Sequence, residues 1–242
     1  MQRKKLECYK NCKTCPAFKD SVFNDCDDQF LDELEKHKNS NLFQKGQTLF
    51  IDGGPSFGVY CVGHGNIKVT KMSNDGKESI VRIATHGNIV GHRSVFAGNS
   101  YHATATSINE SHVCFIDKEY ILKMAKTNPG MAFKFLRIIS TDLGLSESRL
   151  ADFSHKNVRE RVAGLFIYLA KKFGHEVELD NNKTGNVIDI KLSREEMASL
   201  IGTATETLIR FISEFKEEGI LTQEKKSITI IDMDKLEDFY GA

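Results

Sequence analysis

The chain has 242 residues, of which 40% are hydrophobic and 27% charged, as in a globular protein of one or two domains. Lys plus Arg and Asp plus Glu number 33 each, so the net charge is zero and any nucleic-acid binding must come from a local patch. No apolar run approaches the roughly 20 residues that cross a bilayer, and the basic N-terminus lacks the apolar segment of a signal peptide. We therefore predict a cytoplasmic protein with no membrane partner.

Cysteine is the first distinctive feature. Four of the six cysteines lie in the first 26 residues: Cys8, Cys12, Cys15 and Cys26. In a reducing compartment such a cluster indicates a metal or redox site more often than structural disulfides. The other two, Cys61 and Cys114, lie in the apolar runs VYCVG and HVCFI, which are typical of small buried hydrophobic residues.

Hydropathy patterns divide the chain into four regions. Residues 1–40 contain the cysteine-rich segment and a short amphipathic helix. Residues 41–128 carry short alternating runs separated by glycine turns, and this pattern predicts an antiparallel β sandwich or barrel. Residues 129–154 follow a helix that ends near Asn128, because a residue before proline is disfavoured in the α region. They form a long helix of their own, and residues 155–242 form the C-terminal domain.

The long helix carries a regular apolar seam. Six positions are spaced 3, 4, 3, 4 and 3 residues apart, as at the a and d positions of a coiled coil: Leu136, Ile139, Leu143, Ser146, Leu150 and Phe153. We interpret the seam as the interface of a homodimer, and a helix packed on its own domain is the alternative.

The C-terminal region begins with a helix over residues 155–173. Gly174 would end this helix in the left-handed conformation. The run VIDIKL that follows, residues 187–192, predicts a strand.

Beyond that strand the pattern is that of a winged helix-turn-helix. Ser193 followed by Glu196 is a capping box, which predicts a helix that begins there and ends at Gly202. Thr203 or Thr205 would cap a second helix, and a hairpin would follow it. This arrangement indicates DNA binding, with a protein-interaction winged helix as the alternative.

Three segments carry a resemblance to a known family. The glycine-rich run that begins FQKGQTLFIDGG, the long helix and the segment LSREEMASLIGTATETLIRFISEF together resemble the CRP/FNR transcription regulators over about residues 20–240. The resemblance implies an α+β fold with an N-terminal antiparallel β jelly roll of the cyclic-nucleotide-binding type, a dimerisation helix and a C-terminal winged helix-turn-helix. It also implies a homodimeric activator that binds double-stranded DNA at a pseudo-palindromic site and contacts RNA polymerase.

The phosphate-binding residues of the cyclic-AMP receptors in this family are replaced here. His92 stands at the position of their Glu, and Tyr101 and His102 stand at the positions of their Arg and Ser. Without an Arg fork for a cyclic phosphate, we do not expect cyclic-nucleotide binding.

The N-terminal cysteines resemble those of the FNR branch, which holds an oxygen-sensing [4Fe–4S] cluster. The segment ECYKNCKTC has the FNR spacing, and SHVCFID matches the context of the FNR barrel cysteine. The resemblance implies Cys12, Cys15 and Cys114 as ligands, and four thiolates are the usual number. The next FNR cysteine is displaced here, so Cys26 or Cys8 would complete the set. A cluster held in this way would tie the N-terminal segment to the barrel, and its loss would free the segment. FNR has an Asp in its dimer seam where this chain has the uncharged Ser146, so the resemblance implies a dimer that persists with or without the cluster.

Several other sensors remain open. The thiolate set also suits zinc, and it could instead form a redox disulfide or leave a small molecule in the barrel as the effector. Haem could use a histidine as axial ligand, from among His64, His86, His92, His102 and His112. The signal would be oxygen, nitric oxide or redox state. No Walker, G-x-S-x-G or H-E-x-x-H motif occurs, so we do not expect an enzyme.

The family resemblance implies base contacts from the second helix of the helix-turn-helix. Glu206 and Arg210 match the reading positions, where a carboxylate accepts from cytosine and an Arg forks onto guanine. An ion pair between these two residues is the alternative. Ile209 could contact a thymine methyl, and Thr205 completes the set. Phosphate contacts would come from Lys191, Arg194, Lys225 and Lys226.

Overall fold

The computed structural model describes residues 11–179, 183–224 and 227–241. Cys8, Lys225 and Lys226 therefore lie outside the described residues. The chain divides into two compact units, Met1–Leu143 and Gly144–Ala242. Among the residues described, none of the helices has the length and apolar character needed to span a bilayer.

The first unit contains a β-roll. Its strands are, in chain order, β1 (Lys38–Phe43), β2 (Thr48–Phe50), β3 (Gly58–His64), β4 (Ile67–Met72), β5 (Glu78–Ala84), β6 (Ile89–Val90), β7 (Thr104–Ser107) and β8 (Ser111–Asp117). They form two antiparallel sheets, with the orders β1-β8-β3-β6 and β2-β7-β4-β5. The predicted antiparallel β domain is confirmed, although β1 starts at Lys38 because it pairs with β8 along its whole length.

The interior of the roll is filled by alternate residues of its strands. Ile67 and Val69 of β4 are buried beside Val62, Ala105 and Val113 from the neighbouring strands. Polar residues occupy the positions between them, as expected of sheets with one buried face. This interior gives the strands that carry Cys61 and Cys114 a fixed register.

Helices cover the outer face of the sheet β1-β8-β3-β6. They are α1 (Asp28–Lys36), α2 (His92–Ala97), α3 (Lys118–Thr127) and the start of α4 (Pro129–His155), and two short 3-10 helices precede them (Cys12–Thr14 and Pro16–Asp20). Phe23 and Leu34 of the N-terminal segment are buried with Val59, Ile121 and Phe135 in a second apolar cluster. This outer cluster fastens residues 11–36 to the sheet.

The second unit is a winged helix-turn-helix, as predicted. Its elements are α5 (Val158–Phe173), β9 (Gly174–Leu179), β10 (Lys183–Ile188), α6 (Arg194–Leu200), α7 (Thr205–Glu217), β11 (Leu221–Glu224), β12 (Ser227–Ile230) and α8 (Met233–Tyr240). The four strands pair in the order β11-β12-β10-β9. The capping box at Ser193 and Glu196 is present.

Three local expectations for this unit were wrong. Gly174 has φ −96°, which is extended and not left-handed, because the chain passes directly into β9. The strand predicted over residues 187–192 lies at Lys183–Ile188. Neither Thr203 nor Thr205 caps α7; the N-cap is Ala204, which makes no side-chain hydrogen bond.

Candidate functional site

A thiol pocket lies on the outer face of the sheet β1-β8-β3-β6. Cys61 of β3 and Cys114 of β8 are paired directly opposite each other, so their side chains share that face. Cys12 and Cys15, from the first 3-10 helix and the residue after it, line the same pocket. The enclosed space is about 30 Å³, room for little more than a water molecule.

Polar groups reach these thiols from β1 and α1. Nζ of Lys38 donates a hydrogen bond of 3.0 Å to Sγ of Cys12 and lies 3.9 Å from a carboxylate oxygen of Glu35. Glu35 also accepts a hydrogen bond of 2.8 Å from the backbone N–H of Cys12. Oγ of Ser40 lies 3.2 Å from Sγ of Cys114. The ammonium group of Lys38 therefore lies against the thiols of the pocket.

The surroundings of the pocket shift the pKa values of these groups. Burial raises the pKa of Cys61, and also that of Cys15 and Cys114. Burial lowers the pKa of Lys38, but the hydrogen bond to Cys12 and the charges of Cys12, Cys114 and Glu35 raise it, with a net increase. The Lys38 side chain thus stays a cation at neutral pH.

The structure separates the cysteines that the sequence grouped together. Cys12, Cys15 and Cys114, the ligands that the resemblance implies, line one pocket. Cys26 packs in the outer cluster, with its Sγ 3.5 Å from Sδ of Met131. The described cysteines are all free thiols, and within the described ranges no three His, Cys, Asp or Glu side chains are arranged around a single metal position.

Cys61 also lines the pocket, although its sequence context predicts only a small buried hydrophobic residue. Its run VYCVG is that of an ordinary buried strand, and nothing local distinguishes it. What places Cys61 at the pocket is the pairing register of β3 with β8, which joins residues more than fifty positions apart in the chain. Only the folded sheet shows that Cys61 faces the same pocket as Cys114.

Aromatic side chains pack together inside the roll around Tyr101. The rings of Phe50 and Tyr101 stack with centroids 4.0 Å apart, and the Tyr101 hydroxyl donates a 2.7 Å hydrogen bond to the Gly58 carbonyl. Tyr101 is a core residue in this chain.

His92 lies in a buried charged group that joins the roll to α4. Its Nε2 is 3.5 Å from Oδ2 of Asp142, which also accepts a 2.7 Å hydrogen bond from Arg82. Burial lowers the pKa of His92, as do the nearby Arg82 and Arg93, although Asp142 opposes them. Of the other candidate haem ligands, His112 is buried, and the remaining three are exposed: His64, His86 and His102.

The turn of the helix-turn-helix is held by α4 and α5. Gly202 has φ +61°, and a Cβ there would lie 2.9 Å from Cε1 of Phe153. Nε of Arg161 donates a 3.1 Å hydrogen bond to the carbonyl of Ile201, and its guanidinium lies over the Phe153 ring. Phe153, predicted as a dimer residue, thus also supports the turn before α7.

The exposed face of α7 carries the predicted base-reading residues. Glu206, Ile209 and Arg210 are exposed, and Thr205 at the start of the helix is half-buried. Arg210 forms an ion pair of 3.0 Å with Glu214, so the alternative pairing with Glu206 is not the one observed.

The predicted phosphate-binding residues differ in position. Arg194 is half-buried, and its guanidinium donates to Gln223 on the wing and to the sulfur of Met197. Burial lowers its pKa. Lys191, in the loop before α6, is exposed. Arg194 therefore links the wing to α6, whereas the Lys191 side chain is accessible to a DNA phosphate.

Among the described residues, most members of the α4 seam are exposed. Its exposed members are Leu136, Leu143, Leu150 and Phe153. Ser146 is also exposed, and Ile139 is half-buried. A regular row of exposed apolar side chains at heptad spacing is the arrangement of a coiled-coil face without its second strand.

Comparison with known proteins gives the same two-part division. Residues 41–128 match the cyclic nucleotide-binding domain, and residues 160–239 match the Crp-like helix-turn-helix domain. The chain is 26% identical over 217 residues to the CRP-like cAMP-activated global transcriptional regulator of Mycobacterium tuberculosis, covering 89% of this chain and 94% of that protein. It is 25% identical over 236 residues to the fumarate and nitrate reduction regulatory protein of Escherichia coli, covering 97% of this chain and 92% of that protein.

Among solved structures, FixK2 from Bradyrhizobium japonicum has the same fold, with a TM-score of 0.74, 20% identity and coverage of 85% of this chain and 98% of that one. The two matched domains define a transcription regulator in which a domain of the cyclic nucleotide-binding type precedes a DNA-binding helix-turn-helix domain. The chain belongs to the CRP/FNR family, whose members bind DNA and act as dimers, and it is a regulator and not an enzyme.

Proposed function

We propose that this chain is a homodimeric, sequence-specific transcription regulator that senses oxygen, nitric oxide or redox state through a [4Fe–4S] cluster. The observation that carries the proposal is the thiol pocket, in which Cys12 and Cys15 of the N-terminal segment meet Cys114 of β8. The sequence leaves the fourth ligand open between Cys26 and Cys8. Activation through RNA polymerase follows the family resemblance.

The donor set of the pocket fits such a cluster. Thiolates are the ligands that iron–sulfur clusters take, and the walls around them are apolar, with Phe23, Leu34 and Ile116. A space of about 30 Å³ is too small for the group, so loading requires the 3-10 helices to sit farther from the sheet. When bound, the cluster would supply a redox-active centre that oxygen and nitric oxide attack.

The N-terminal segment does not depend on a cluster for its attachment. Phe23, Leu31 and Leu34 are buried in the outer cluster, and Lys38 is bonded to Cys12. We therefore revise the expectation that cluster loss frees the whole segment. The change we propose is a shift of residues 12–20 against β3 and β8, while α1 stays in place.

A path from the roll to the dimerisation helix supports this signal. Asp142 of α4 is bound by Arg82 of β5 and lies beside His92 of α2. The next residue in the chain is Leu143 of the seam. A displacement of the roll strands would therefore change the position of the seam and, through it, the population of DNA-binding conformers. The same seam is our proposed dimer interface.

On the DNA side, we propose that Glu206 and Arg210 read bases, with Ile209 and Thr205 beside them. Lys191 would contact phosphate, and the predicted contacts of Lys225 and Lys226 lie outside the described residues. We assign Arg194 to holding the wing, because its guanidinium is bonded to Gln223.

The test is purification without oxygen, followed by measurement of iron, acid-labile sulfide and zinc. About four irons and four sulfides per monomer, with a visible absorption band that air bleaches, would support the proposal. Cys12→Ser, Cys15→Ser and Cys114→Ser should each remove the band. A colourless protein with one zinc per monomer, or one that takes up no iron after anaerobic reconstitution, would refute it.

A further inference from the structure

We infer that Cys61 is the fourth thiolate ligand of the pocket, in place of Cys26 or Cys8. This inference rests on the proposed function, since it assigns the ligand set of the same site. Its basis is the juxtaposition of two strand cysteines under two cysteines of the N-terminal segment.

The pairing of β3 with β8 fixes where Cys61 points. Cys61 lies directly opposite Cys114, and opposed residues of antiparallel strands have Cβ atoms roughly 4.5–5.5 Å apart on one face of the sheet. On the other side of β8, Ser40 of β1 is paired with the same Cys114. The floor of the pocket is therefore a rigid strip of three strands that presents two thiols.

The N-terminal segment supplies the other two thiols from above. Cys12 and Cys15 line the pocket together with Cys61 and Cys114. The four cysteines therefore face one small space between the sheet and the N-terminal segment. Four thiolates is the number that these clusters usually take.

Cys26 has a different environment. Its sulfur lies 3.5 Å from the sulfur of Met131, and Cys26 is not among the residues that line the thiol pocket. To reach the pocket, Cys26 would have to leave that contact. Cys61 requires no movement, because its strand is fixed by the roll.

A buried free cysteine usually serves only as a small hydrophobic residue in the packing. The experiment therefore has to distinguish this packing role from a role as a cluster ligand. The first arm leaves Cys61 intact. In the full chain, the double variant Cys8→Ser/Cys26→Ser keeps only Cys12, Cys15, Cys61 and Cys114. We expect it to bind as much iron and sulfide as the wild type after anaerobic reconstitution, with the same visible band. Loss of the cluster from this variant would overturn the inference.

The second arm removes Cys61 by Cys61→Ala, which keeps a small apolar side chain in the strand. We expect the iron content to fall about tenfold, while the circular dichroism spectrum and melting temperature of the cluster-free protein stay those of the wild type. Cys26→Ala, also within the apolar packing, is the matched control and should retain its iron. A folded Cys61→Ala variant with a full cluster would overturn the inference but leave the proposed function standing. A wild-type protein that never binds iron would remove the proposed function itself.

Discussion

Lys38 donates a hydrogen bond of 3.0 Å to the sulfur of Cys12, although only 5% of the Lys38 side chain is exposed. A buried ammonium is costly unless opposite charge accompanies it. Glu35 supplies part of that charge at 3.9 Å. Thiolates bound to a cluster would supply the rest, so we interpret Lys38 as the countercharge of the thiol pocket.

The first prediction tests this countercharge with Lys38→Met, which keeps the apolar stem and removes the ammonium. A cluster held by four thiolates has a net negative charge, and a hydrogen bond to a charged group contributes about 1.5–3 kcal/mol. We expect the cluster to be retained roughly tenfold less well, measured as iron release to a chelator without oxygen. Lys36→Met is the control, because Lys36 is exposed and pairs with Glu33 at the surface. Equal release rates from the two variants would contradict the role.

The second prediction concerns pH and the buried group of His92, Asp142 and Arg82. Burial lowers the pKa of His92, so its neutral form stabilises the fold fully above the ordinary value of about 6.5. That stability is lost as the pH falls toward the folded pKa, by up to about 1.4 kcal/mol per pH unit. The pKa of Asp142 is also lowered: burial raises it, but His92, Arg82 and Arg93 outweigh that effect. Its contribution is therefore lost only at still lower pH.

The measurement is urea unfolding of the cluster-free protein at pH 7.5 and pH 5.5. We expect the wild type to lose roughly 1 kcal/mol more than His92→Phe between these two values. The exposed His102 gives the control His102→Phe, which should behave as the wild type. If His92→Phe keeps the full pH dependence, another group is responsible for it.

Much of this fold follows from local sequence signals. The alternating runs, the capping box at Ser193 and the proline after Asn128 each act within a few residues, and each placed its element correctly. Gly174 is different. A Cβ there would lie within contact distance of the Asn186 side chain and the Ala170 carbonyl, so glycine is required by the pairing of β9 with β10. That constraint is not local, and the sequence suggested a left-handed cap.

The candidate site likewise depends on local sequence signals for some residues and on long-range contacts for others. The spacing of Cys12 and Cys15 is readable within one short segment, and the resemblance adds Cys114. The place of Cys61 depends on the register between two strands, and the place of Cys26 depends on its contact with Met131 of α4. Both are long-range relationships. A pattern of residue types along the chain therefore suggests the chemistry of the site but not the complete set of thiols.

The third prediction tests the dimer seam. Leu143→Asp would place two facing carboxylates in a dry interface without partners, which costs several kcal/mol. We expect association to weaken about 100-fold or more, measured by sedimentation of the cluster-free protein. Leu145→Asp is a matched control on the same helix, because Leu145 is 60% exposed and Leu143 58%. Leu145 lies off the seam, so its variant should remain dimeric. Monomers in both variants, or in neither, would count against this interface.

The fourth prediction concerns the turn between α6 and α7. An alanine in place of Gly202 must adopt φ +61°. Its Cβ would also lie only 2.9 Å from Cε1 of Phe153, so the ring has to move. Gly219 has a similar φ of +70° but nothing within 4 Å of a Cβ. Gly219→Ala should therefore cost only the left-handed backbone, about 1–2 kcal/mol.

We expect Gly202→Ala to lower the free energy of unfolding by a further 1 kcal/mol or so, because the added methyl overfills the contact. Chemical denaturation of the two variants gives the difference directly. Equal losses would mean that the Phe153 ring moves aside without cost and does not position the turn.

The last prediction concerns base readout by Arg210. In the free protein its guanidinium pairs with Glu214 on the exposed face of α7, and it is free to swing toward a groove because both side chains are at the surface. An Arg that forks onto guanine contributes about 1–3 kcal/mol and acts at one base pair. We expect Arg210→Ala to weaken binding to the selected operator by that amount and to relax the preference at one position of each half-site. Arg210→Lys should weaken operator binding and relax the base preference nearly as much, because lysine keeps the charge but lacks the two-pronged guanidinium. Lys191→Ala should instead weaken binding to all DNA sequences alike and reduce the salt dependence of binding by about one phosphate contact.

The operator is first selected from random DNA by the wild type, and the variants are then compared by titration over a series of single base-pair changes. If Arg210→Ala lowers affinity uniformly across that series, Arg210 contacts phosphate and the base-reading assignment is wrong.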